Sequence, residues 1–184
     1  MFTIFRGGQS GAWRVTRLTP VKGTGLARTP ALSSVSSSSI ALPILPALTT
    51  WRVAGVASHV RYTEHAEKEQ LVAVQAKLGR PEATCAALIP IKKSAAWWEL
   101  TQEERRQIFE DKSHHIAASL KYLPAIARQL YHSRDIGEPF DFLTWFEYAP
   151  EHIGLFEELV GMLRATTEWT YVEREVDVRV VRDA

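Results

Sequence analysis

The feature that most limits what this chain can become is its last long run, WTYVEREVDVRVV (Trp169–Val181), in which apolar and charged residues alternate. Successive strand side chains point to opposite faces, so the pattern predicts a β-strand with one face buried. FDFLTWFEY (Phe140–Tyr148) alternates as well and is rich in aromatics, which predicts another strand. ALIPIKKS (Ala87–Ser94) reads as extended, WRVAGVASHVRY (Trp51–Tyr62) as a strand, and FTIF and AWRVTRL as two short β-runs separated by the turn-forming GGQSG.

Helical signals lie between these runs. A helix is predicted over Glu64–Leu78, closed by Gly79 and Arg80-Pro81. Thr101 opens a second in TQEE, where Thr101 and Glu104 have capping-box spacing, and it is expected to run to about Leu120. A third is predicted from Pro124 to just before Gly137, and a fourth from Pro150 to about Arg164. Residues 21–50, with SSVSSSS, several prolines and few charges, read as a long loop or linker.

The second half therefore reads β-α-α-β-α-β. This is an α+β fold of antiparallel sheets with helices on one face. Two ferredoxin-like halves, as in dimeric α/β-barrels, fit it: an abbreviated N-terminal half over residues 1–80 with a Ser/Pro-rich loop at 21–50, and a second half over 81–184.

At 184 residues, 46% hydrophobic and 23% charged, the chain can bury a core without staples. A net charge of +1 gives no field suited to nucleic acid or an anionic membrane. No apolar run approaches the roughly 20 residues that span a bilayer. MFTIFRGGQSGAW lacks the basic, apolar and small-residue regions of a secretory leader, so a cytoplasmic location is expected. Cys85 is the only cysteine, which excludes intramolecular disulfides, thiolate zinc sites and iron–sulfur clusters from one chain. Without C-x-x-C-H, any haem is held non-covalently, and His, carboxylate or Tyr remain as metal ligands.

Within EERRQIFEDKSHHIAASLKYL, His114 and His115 point about 100° apart on a helix. His115 shares a stripe with Ile108, Lys112 and Ser119, beside Phe109, Ile116 and Leu120. It is either a hydrogen-bonded histidine at the core boundary or a lone axial ligand to iron. Arg128 in PAIARQLYHSR is either a snorkelling surface side chain or a buried cation that needs an anion. Lys92-Lys93 beside Trp97-Trp98 is either a solvated pair next to buried rings or a grip on anionic groups. Glu168, before Trp169, has the ordinary reading of an exposed charge. No Gly-rich phosphate loop, G-x-S-x-G or H-E-x-x-H is present.

The stretch from WWELTQEERRQIFEDKSHH to WFEYAPEH, followed by LRATTEWTYVEREVDVRV, closely resembles the short, dimeric branch of the chlorite dismutases, over about Trp51–Val180. The resemblance implies haem b, chlorite as a small anionic substrate converted to chloride and dioxygen, and a homodimer. The family separates its iron-ligating histidine from its distal arginine by 13 positions, which here selects His115 over His114 as the axial ligand and Arg128 as the catalytic arginine. The resemblance further implies Lys93 and Glu168 as groups behind His115 or at the haem edge, with Glu168 accepting its ring N–H, and Gln75 as a neighbour of Arg128. Tyr62, Trp97 and Trp98 are implied as haem-pocket residues, and Thr144 and Phe146 as distal wall. Coproheme decarboxylases share the fold but carry Gln at the position of Arg128 and a catalytic Tyr in the segment matching Leu88–Lys93, which here is LIPIKK. That reading is the runner-up. A haem carrier or sensor without turnover, and a general peroxidase, are further alternatives.

Overall fold

The computed structural model describes residues 1–40, 48–57, 75–113 and 119–183. Eight strands dominate it: β1 (Phe2–Gly8), β2 (Trp13–Lys22), β3 (Ala31–Ser37), β4 (Thr49–Ala57), β5 (Cys85–Lys93), β6 (Ala127–His132), β7 (Phe142–Tyr148) and β8 (Val172–Val181). All pairings are antiparallel, and the order β1-β3-β2-β8-β5-β7-β6-β4 closes into a barrel. The last four strands lie in the order β8-β5-β7-β6 and the first four in the order β4-β1-β3-β2. Numbered within its own set, each is 4-1-3-2, the ferredoxin-like arrangement. The α+β class and the ferredoxin-like relation expected above are borne out.

The alternation of β8 divides two environments. Val176, Val178 and Val180 point into the barrel, where they meet Phe5, Trp13, Leu88, Leu143 and Trp145. Trp13 packs edge-on against Trp145 with ring centroids 5.3 Å apart. The opposite face of β8 carries Glu175, Asp177 and Arg179, which are only 0%, 2% and 6% exposed. Helix α3 (Ile153–Arg164) covers that face. Its Phe156, Leu159, Val160 and Leu163 form a buried i, i+3, i+4, i+7 stripe, packed on the outward residues Cys85, Ala87, Ile89 and Ile91 of β5. Buried charges need partners, and α3 supplies them: Arg164 binds Glu175 and, at 2.9 Å, Asp177, while Arg179 binds Asp177 and Glu157.

Helix α1 (Ala95–Glu99) follows β5 directly. Helix α2 (Gln102–Arg106) starts with the expected capping box: the Glu104 amide donates to Thr101 Oγ1 at 3.2 Å, and the Thr101 amide donates to Glu104 Oε2 at 2.7 Å. It then widens into a π-helical stretch, Gln107–Lys112, and a 3₁₀ turn stands at Leu120–Tyr122; of the helix expected to about Leu120, residues 114–118 lie outside the described residues.

Three further expectations are corrected. The segment from Pro124 to Gly137 is not a helix. Pro124 lies in a turn, and Ala127–His132 form β6, which pairs with β7 along its length. Cross-strand pairing there overrides the helical propensity of Ala, Leu, Gln and Arg. Residues 21–50 are not one loop, because Ala31–Ser37 form β3 against β1. The Trp169–Tyr171 start of the last strand belongs instead to a 3₁₀ turn, Thr167–Tyr171. Of the helix expected over Glu64–Leu78, residues 58–74 lie outside the described residues, and residues 75–78 are not helical. Among the described residues no helix is long and apolar enough to cross a membrane.

Candidate active site

The outer face of the second strand set forms one wall of a cavity. On β6, Arg128, Leu130 and His132 stand opposite Phe146, Thr144 and Phe142 of β7, and these in turn stand opposite Ala87, Ile89 and Ile91 of β5. The facing wall is made by Trp97 and Trp98 of α1, Phe109 of the π-helical stretch, Leu159 and Leu163 of α3, and Glu168 and Trp169 of the 3₁₀ turn. The space between the walls, counting the part open to solvent, is about 1380 Å³. Mostly apolar walls with a few polar groups suit a large, largely apolar ligand.

Arg128 brings a full positive charge to the sheet wall. Its Nε is buried with no hydrogen-bond partner among the described residues, and burial pushes its pKa below the ordinary arginine value. A half-buried cation whose charge no described residue balances is a site for an anion. Gln75 donates its Nε2 to the Arg128 carbonyl at 2.8 Å, so it contacts the strand backbone at this residue.

Lys93 ends β5 where the sheet meets the helical layer. Its Nζ lies 2.8 Å from Glu168 Oε1, and the two side chains are 3% and 7% exposed. The same Nζ sits 4.6 Å from the Trp97 ring centre and 5.6 Å from that of Trp169. Removing one member of such a buried pair costs about 3–5 kcal/mol. The Glu168 amide donates to Ser113 Oγ at 3.2 Å, tying the turn to the end of the π-helical stretch.

The two tryptophans are fixed from behind. Arg105 donates from Nε to the Trp97 carbonyl at 3.0 Å and from Nη2 to the Trp98 carbonyl at 2.7 Å, satisfying carbonyls left open at the end of α1. Trp98 Nε1 donates to Asp141 Oδ2 at 3.2 Å, and the Lys93 amide donates to the same oxygen at 2.6 Å. Burial raises the pKa of Asp141, against the opposing pull of these two donors. The guanidinium of Arg134 lies 4.0 Å from the Trp98 ring centre.

Of the residues singled out from the sequence, Arg128, Lys93, Trp97, Trp98, Thr144, Phe146 and Glu168 all line this one cavity. Gln75 reaches it only through the backbone of Arg128. Tyr62, His114 and His115 lie outside the described residues. Neighbours of His115 on both sides are described: Ser113 accepts from Glu168, and Ser119 lines the cavity. Sequence reasoning missed Arg105, Asp141 and Glu175. Asp141 and Glu175 act on partners far along the chain or on another element, so no local pattern marks them. Arg105 sits one turn past the capping box, and that spacing could have pointed to it.

The family model for chlorite dismutase matches residues 44–183. A dimeric chlorite dismutase from Nitrobacter winogradskyi has 67% identity and a TM-score of 0.92, over 98% of this chain and 99% of that one. A chlorite dismutase from Candidatus Nitrospira defluvii, solved in complex with imidazole, has 30% identity and a TM-score of 0.59, over 72% of this chain and 55% of that one. The curated chlorite dismutase of Ideonella dechloratans is 37% identical over 86 residues, which are 47% of this chain and 28% of that protein. The match thus spans less than a third of the length of that curated relative. Fold, cavity and family match agree: the chain is a member of the chlorite dismutase family.

Proposed function

We propose that this protein binds haem b non-covalently and converts chlorite to chloride and dioxygen, with residues 81–184 as the haem-binding half. The observation that carries the proposal is Arg128, whose buried Nε has no hydrogen-bond partner among the described residues, on the wall of a large, mostly apolar cavity. The residues fit a haem: apolar side chains on both walls, and the buried Trp97 Nε1, which has no hydrogen-bond partner among the described residues.

Bound haem supplies the redox chemistry that breaks chlorine–oxygen bonds. His115 would hold the haem iron. This is supported by the 13-position spacing to Arg128 and by the attachment of Ser113, two residues earlier, to Glu168. Glu168, held by Lys93, would accept the ring N–H of an iron-bound His115. Arg128 holds the chlorite anion, because its guanidinium stays charged at any working pH. Phe146, Leu130 and Ile89 around it limit access of water, which strengthens the attraction between the guanidinium and the anion. The dimeric state of the Nitrobacter protein, at 67% identity, supports a homodimer here.

The test is to load the purified chain with haem b, record its absorbance spectrum, and add chlorite at an oxygen electrode. Dioxygen release in proportion to chlorite consumed is expected. A chain that binds haem but releases no dioxygen is a carrier or sensor, and the proposed activity is then wrong.

A further inference from the structure

The 3₁₀ turn Thr167–Tyr171 is fastened on two opposite sides. Towards the cavity, the Glu168 carboxylate meets Lys93 Nζ at 2.8 Å, its amide donates to Ser113 Oγ at 3.2 Å, and the Tyr171 carbonyl accepts from the Ser94 amide at 2.7 Å. Towards the sheet, Trp169 Nε1 donates to Glu175 Oε2 at 2.8 Å. Glu175 is fully buried on β8, and its other oxygen is held by Arg164 Nε at 2.8 Å. A five-residue 3₁₀ turn holds its own shape through local bonds and takes its position in the fold from such fastenings. Glu168 and Trp169 are adjacent, so moving one side chain moves the backbone of the other.

We infer that Glu175 and Trp169 are positioning residues: the Arg164–Glu175–Trp169 chain of hydrogen bonds sets where the Glu168 carboxylate stands, and through it the electron donation of His115 to a bound haem. The inference rests on the haem reading above. A buried carboxylate shared between a guanidinium and an indole has little freedom, because any displacement leaves a buried polar group unpaired. The clamp is therefore stiff, and it joins α3 and β8 to the turn that carries Glu168.

The test uses Trp169→Phe, which keeps an aromatic ring but removes the N–H, and Glu175→Gln, which keeps an acceptor but loses the ion pair with Arg164. Both are made in the wild-type and Glu168→Gln backgrounds. In the haem-free protein the Trp169 indole proton is expected to exchange slowly with solvent, and faster in Glu175→Gln. In the haem-loaded protein Glu168→Gln raises the Fe(III)/Fe(II) potential, since a weaker acceptor makes His115 a poorer donor to ferric iron. Trp169→Phe and Glu175→Gln raise it in the same direction by less. In the Glu168→Gln background Trp169→Phe adds nothing, because the two act along one path. Thermal stability that falls in Trp169→Phe while the potential stays at the wild-type value makes the clamp purely structural and overturns the inference. Additive shifts in the double variant overturn it too. A wild-type chain that takes up no haem sinks the functional reading and this inference together. A haem-loaded chain whose potential answers to Glu168→Gln alone sinks only the inference.

Discussion

Arg128 sets stability against function, and replacing it separates the two. In the haem-free protein its buried Nε lacks a hydrogen bond and its charge lacks a counter-ion among the described residues. An unsatisfied buried polar group costs about 1–3 kcal/mol, and the charge adds to that where water is excluded. Arg128→Met keeps the stem volume against Phe146 and removes both penalties. At roughly 2–4 °C per kcal/mol for a domain of this size, the haem-free variant should melt about 2–12 °C above the wild type. The same substitution removes the group proposed to hold chlorite, so initial dioxygen release should fall and the enzyme should inactivate sooner as hypochlorite escapes. Arg128→Lys keeps the charge without the planar fork and should fall between the two. The assays are thermal melts of haem-free protein and an oxygen electrode run with and without a hypochlorite scavenger. A variant that melts below the wild type shows that the guanidinium is well partnered, and the argument from an uncompensated cation fails. A variant with wild-type rate, yield and scavenger response removes Arg128 from the chemistry.

His115→Ala should abolish stable haem uptake while His114→Ala largely keeps it; haem-to-protein ratios decide, and loss in the His114 variant instead would relocate the ligand. Light scattering should give a mass of two chains, whereas five or six would contradict the short-branch assignment. Burial would raise the pKa of Asp177, but Arg179 and Arg164 override this and hold it below its ordinary 3.8. Its contribution to stability is thus complete above the unfolded value and is lost as pH falls through the lower, folded one. Urea midpoints measured from neutral pH down through that range should decline less steeply in Asp177→Asn, and an unchanged slope would show that the carboxylate is not held down.

What could be read from the sequence divides by the range of the interaction. The Thr101–Glu104 capping box is satisfied within four residues and was legible as written. The α3 stripe and the Val176–Val178–Val180 face of β8 were legible because burial follows a period. The charged face of β8 was not, since alternation says that two faces differ and does not say that both are covered. Its partners Arg164 and Glu157 lie on a helix that precedes the strand. β6 was misread because its two faces, Ala127–Gln129–Tyr131 and Arg128–Leu130–His132, each mix polar and apolar residues; its register comes from β7. β3 was taken for linker because its serines give no apolar face, although backbone pairing with β1 needs none. Lys93 and Glu168 are 75 residues apart, and only the family resemblance joined them before the coordinates did.

The six tryptophans divide evenly between the two compartments of this fold. Trp13, Trp51 and Trp145 belong to the barrel interior, and Trp97, Trp98 and Trp169 face the cavity. The molecule thus carries two separate optical reporters. The edge-on pair Trp13–Trp145, 5.3 Å apart, is close enough for its transitions to couple, so its near-ultraviolet dichroism records whether the barrel is intact. The cavity indoles stand nearest to any chromophore bound there and would lose their emission to it first. One fluorescence and one dichroism trace on the unmodified protein therefore tell an emptied cavity from an opened barrel.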